Sequence, residues 1–126
     1  MKISRNYRKS IVSLVLVLLL MDSGTSVANS VRIFTLTADA WARPRSGEMI
    51  PELASVRAAV SYWDRGADAI LIIRHPGEDS GELWGAELRD WLISLGVPSD
   101  YIRLVSGTQS AGEINIVVGN REELEQ

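Results

Sequence analysis

The 126-residue chain carries no cysteine, a single histidine and a formal net charge of −3. The missing thiols exclude disulfides and every metal site built on thiolates. A chain of this length has room for one modest core and not for two.

The first residues read as an export signal. Lys2, Arg5, Arg8 and Lys9 precede any acid, and the first acid is Asp22. Ile11 to Met21 is then apolar except for Ser13. A helix that spans a bilayer takes about 20 apolar residues, so this run suits a cleavable leader better than an uncleaved anchor. Ser26-Val27-Ala28 puts small residues where a signal peptidase cuts, and no cysteine follows for lipidation. The expectation is a secretory signal peptide over residues 1–28 and one domain over 29–126, periplasmic or secreted, with no membrane span after cleavage. Without the leader, nine basic residues, all arginine, face fifteen acids, a charge of about −6. An acidic surface disfavours nucleic acid and anionic lipid as partners.

Within the domain, Val31–Thr37 alternates and is rich in β-branched residues, which predicts a strand. Residues 38–47, with Pro44 and Gly47, read as a loop. Pro51 suits the first turn of a helix. Leu53, Val56, Val60 and Trp63 then mark one helix face, and Gly66 is expected to end that helix in a left-handed position. Ala69–Ile73 is a short continuous apolar run, the pattern of a strand buried on both faces. Arg74-His75-Pro76-Gly77 reads as the following loop. Asp79 and Glu82 have capping-box spacing. Trp84, Leu88, Trp91, Leu92 and Leu95 mark the buried face of a second helix, which Gly96 and Pro98 stop. Residues 101–105 and 114–118 read as two more strands, and residues 121–126 as a polar, frayed tail. The order β-α-β-α-β-β predicts an α+β fold, a two-layer sandwich with helices on one face of a small mixed sheet.

The phrase Arg89-Asp90-Trp91-Leu92-Ile93-Ser94-Leu95-Gly96-Val97-Pro98-Ser99-Asp100-Tyr101-Ile102 resembles the end of the second helix in the peptidoglycan-binding domain of OmpA and MotB type. The order of elements agrees with that family across nearly all of residues 29–126. In the family, a buried strand ends in a Gly-His-Thr-Asp turn. That Asp receives the amino group of diaminopimelate, and an Arg in the second helix forks onto a carboxylate. His75 matches the family's His. Pro76 stands for the Thr, Gly77 for the Asp and Trp84 for the Arg, and the stretch from His75 to Arg89 is shorter. The resemblance therefore implies an OmpA-like module whose anchors are gone. By chemistry, Asp79 and Arg89 are the nearest substitutes; as ordinary residues they are a helix cap and a solvated helix position.

Ile72-Ile73-Arg74-His75-Pro76-Gly77-Glu78 is also similar to the opening motif of histidine phosphatases, in which the His attacks phosphorus and the Arg holds the phosphate. Pro76 splits that motif, and the second His that the chemistry requires is absent. His75 alone is too few ligands for a metal. Trp63, Trp84 and Trp91 have core spacing. Trp41, in a loop beside Arg43 and Arg45, is the expected exposed contact residue.

These readings converge on an exported, non-enzymatic envelope module without cofactor or metal. Its expected partner is an envelope protein, with peptidoglycan binding weakened or lost. The alternatives are a hydrolase using Arg74 and His75, or an altered glycan-binding pocket at the same strand ends; the candidate binding residues are Asp79, Arg89, His75 and Trp41. Cleavage after Ala28 predicts that N-terminal sequencing of the exported protein starts at Asn29; a membrane-embedded form retaining Met1 contradicts it.

Overall fold

An apolar run without polar alternation can be hidden only in a strand covered on both sides, and Ala69–Ile73 is placed in this way. The computed structural model describes residues 30–108 and 110–126; the predicted leader lies outside them. The elements are β1 (Arg32–Thr37), α1 (Ala38–Trp41), a 3-10 turn (Ile50–Glu52), α2 (Ala54–Asp64), β2 (Ala69–His75), α3 (Asp79–Ser94), a second 3-10 turn (Ser99–Tyr101), β3 (Ile102–Ser106), β4 (Glu113–Asn120) and α4 (Arg121–Leu124). The sheet order is β1-β4-β2-β3, with β4 antiparallel to β1 and β2, and β2 parallel to β3. The fold is α+β, with a small open mixed sheet.

Helices α2 and α3 cover one face. Leu71 and Ile73 of β2, and Ile114, Ile116 and Val118 of β4, meet Val56 and Ala59 of α2 and Leu88 and Leu92 of α3 in the main core. Leu88 and Leu92 are fully buried, and burying one such side chain contributes about 1.5–3 kcal/mol. Trp63, Trp84 and Trp91 pack at the margin of this core, as their spacing predicts. Trp63 also donates its indole N–H to the Ala69 carbonyl at 2.8 Å, which ties α2 to the start of β2.

Several local expectations are corrected. The 38–47 segment begins with a turn of helix, α1, because the Thr37 hydroxyl accepts the Ala40 N–H as an N-cap. Pro51 lies in the separate 3-10 turn, since extended Leu53 (φ −65°, ψ 112°) breaks the chain before α2. Helix α2 ends in a right-handed Arg65 cap; the left-handed residue is Asp68 (φ 53°), not Gly66. Asp79 does not cap α3. It is the first helical residue, and the N-cap is Glu78, whose side chain makes no capping bond. Gly96 does supply the left-handed stop, at φ 103°.

The predicted tail is also ordered. Asn120 accepts the Glu122 N–H and starts α4. Arg121 donates its backbone N–H to the Asp68 carbonyl and pairs with the Asp68 carboxylate at 3.6 Å. Leu124 packs on Ile70, Ile72 and Val117, on the sheet face away from α2 and α3. The apolar face of this short element was hidden in the sequence by the acids around it.

Leu88→Ala is expected to cost about 2–5 kcal/mol. Leu83, 72% exposed on the same helix, is the control: Leu83→Ala should stay within about 0.5 kcal/mol of the parent. Thermal denaturation followed by circular dichroism separates the two.

Candidate functional site

Strands β1, β2 and β3 run parallel to one another, so their carboxyl ends share one end of the sheet with the start of β4 and of α3. Loops diverge at such an end, and ligands commonly gather there in open sheets. His75 and Trp41 lie at this end.

His75 is not in a loop. Residues 74 and 75 continue β2, opposite Val105 and Ser106 of β3. Side chains alternate along a strand. His75, 6% exposed, therefore falls on the helix side with Leu71 and Ile73, while exposed Arg74 falls on the opposite face beside Asn115. The two side chains predicted to share a phosphate are thus on opposite sides of the sheet.

The His75 ring is enclosed by α3. A Cβ on Gly85 would lie 3.0 Å from His75 Cδ2 and 3.2 Å from Leu104 Cδ2. A Cβ on Gly81 would overlap the Pro76 carbonyl oxygen and lie 2.7 Å from the Pro76 Cβ. These two glycines, one helical turn apart, let α3 settle directly on the His75-Pro76 peptide. The ring Nδ1 lies 2.8 Å from the Pro76 carbonyl, which can only accept, so Nδ1 carries the proton and donates. The His75 carbonyl in turn accepts from the N–H groups of Gly107 and Thr108, at 2.9 and 3.3 Å. The Gly81-x-x-x-Gly85 spacing was visible in the sequence. Its meaning, close approach of helix to strand, needed the register.

Trp41 is 6% exposed rather than presented to a partner. Its ring lies 6.3 Å from that of Trp84, and the Arg45 guanidinium sits 5.0 Å from the Trp41 ring centre. Arg45 also donates to the Trp41 carbonyl at 2.8 Å and to Glu87 of α3 at 2.6 Å. The Arg side chain thereby pins the 42–49 loop to α3 beside Trp41. Loops are usually exposed, which is why composition alone placed Trp41 outside. The Trp84 Nε1 is buried and has no hydrogen-bond partner among the described residues.

Asp79 is exposed at the first turn of α3, and Arg89 is half-buried ten residues further on. Helix geometry separates them by about 15 Å along the axis and about 80° around it. They do not converge on one small ligand. Gly77 has open space around its Cα, and Trp84 packs against Trp41. Three surface hollows, of about 180, 300 and 370 Å³, are lined by none of His75, Asp79, Arg89 and Trp41. Among the described residues, no three His, Asp or Glu side chains are grouped so as to hold a metal ion, and no helix is long and apolar enough to cross a membrane.

No protein-family model matches the chain, and no curated protein matches it.

Gly81→Ala tests the packing around His75. On an open helix, Ala is favoured over Gly by about 1 kcal/mol. Here the added methyl meets backbone, and displacing backbone in a packed region costs about 1–3 kcal/mol. The variant is expected to melt below the parent. A higher melting temperature would mean that α3 does not press on Pro76.

Proposed function

We propose that this chain is an exported, non-enzymatic envelope module of OmpA-like design that acts through contact with another envelope protein, with the diaminopimelate anchor lost. The observation that carries this reading is the state of the two positions at which the resembling family holds its ligand. Gly77 can offer a backbone N–H and no charge. Trp84 is engaged with Trp41 and cannot neutralise a carboxylate. Asp79 and Arg89 lie too far apart on α3 to replace the missing pair. The burial of His75 beneath Gly85 supports a structural role for the one histidine in the chain.

The energetic consequence is large. A carboxylate and an ammonium held by charged partners contribute about 1.5–3 kcal/mol each. Losing both contacts removes at least about 3 kcal/mol, more than a hundredfold in affinity. The expected result in a sedimentation assay with purified sacculi at physiological salt is no saturable binding by residues 29–126. Asp79→Ala and Arg89→Ala should behave as the parent does. Tight binding by the parent that disappears in both variants overturns the proposal.

A further inference from the structure

We propose that the free edge of β1 is a peptide-docking groove that takes the carboxyl terminus of an extended peptide, with a basic side chain near that terminus. This goes beyond the reading above: the groove is remote in sequence from Gly77 and Trp84, and its use does not depend on envelope location.

Among the described residues, strand β1 is an edge strand, hydrogen-bonded to β4 on one side only. The Thr35 carbonyl accepts from the Ser55 hydroxyl at 2.5 Å, so Thr35 turns its backbone polar groups away from β4. Strand alternation sends those of Thr37 the same way. The Ala38 N–H, of opposite parity, bonds back to the Gly112 carbonyl at 2.8 Å. Among the described residues, the outward N–H groups of Thr35 and Thr37 make none of the turn, loop or cap bonds. An edge with unpaired donors is a template for an added strand.

Along this edge runs a hollow of about 370 Å³ between α1 and the start of α2, lined by Thr35–Thr37, Ala40, Arg43 and Glu52–Ser55. Its charge pattern selects the occupant. Arg43 has no ion pair, hydrogen bond or aromatic partner among the described residues. Among the described residues, Glu52 reaches only Arg57, at 3.9 Å, with both side chains largely exposed. Arg43 and Glu52 thus line one groove without pairing with each other. A carboxylate has only acceptors, so it suits Arg43 and the edge N–H groups. A Lys or Arg side chain a residue or two earlier suits Glu52. Ser55 already occupies the Thr35 carbonyl, which limits strand addition to a short terminal segment and favours a chain end over a long internal strand.

The test is titration of the ¹⁵N-labelled domain with the acetylated pentapeptide Thr-Val-Thr-Lys-Val bearing a free carboxylate. Saturable shifts centred on the amides of Thr35 and Thr37 are expected. Capping the peptide as its amide should weaken binding by about tenfold, and Arg43→Gln should do the same for the free acid. Glu52→Gln should weaken the Lys peptide but leave a version with Thr in place of Lys unaffected. Arg43 and Glu52 are both exposed, so near-ultraviolet circular dichroism should show both variants folded as the parent. Equal binding of acid and amide, shifts centred away from β1, or no binding at millimolar peptide would each overturn the proposal.

Discussion

The seating of α3 on the end of β2 is the constraint on which the rest of this end of the molecule depends. Gly81 and Gly85 bring the helix axis down onto the His75-Pro76 peptide. That approach sets the depth at which Leu88 and Leu92 enter the core one and two turns later. It also fixes His75 in one tautomer against the Pro76 carbonyl. A side chain held in this way is a packing element. Its ring fills the space that the two glycines leave, and its backbone carbonyl anchors the turn at Gly107 and Thr108.

The second tie at this end is made by Arg45. One guanidinium stacks on Trp41, bonds to the Trp41 carbonyl and pairs with Glu87. The Arg45 and Glu87 side chains are 34% and 40% exposed, so the charge pair alone contributes little. Its value lies in the geometry that it shares with the stack, which ties the loop after α1 to Trp41 and to α3. The resulting surface is filled and aromatic. An open groove remains at the β1 edge, lined by Arg43 at the start of the loop and by Glu52 after it.

The layout of the fold was legible in the sequence because hydrophobic spacing reports burial directly. The Ala69–Ile73 run, the Leu53–Trp63 face and the Trp84–Leu95 face all lie in the sheet and core where their periods put them. Gly96 was legible for a different reason: a glycine followed by Val-Pro ends a helix almost by itself. The errors share a cause. Arg74 and His75 are polar and precede Pro-Gly, so they read as loop, yet pairing with β3 extends the strand through them. Asp79 looked like a cap, but the cap position depends on where α3 meets β2 and not on the residue type. Trp41 and Leu124 owe their roles to partners more than 40 residues distant, Trp84 and Ile70, and the two α3 glycines to the way that the helix folds back onto His75 and Pro76. No local pattern could report those contacts.

The central claim, that the one histidine of this chain is a packed structural residue and not a presented catalytic or ligand-binding one, is tested most directly on the ring itself. Long-range ¹H–¹⁵N correlation spectra of the His75 side chain report which nitrogen carries the proton. The account predicts a single tautomer protonated at Nδ1, with an N–H that exchanges slowly because it is bonded to the Pro76 carbonyl beneath α3. A ring protonated at Nε2, or one that averages between tautomers with fast exchange, would contradict it.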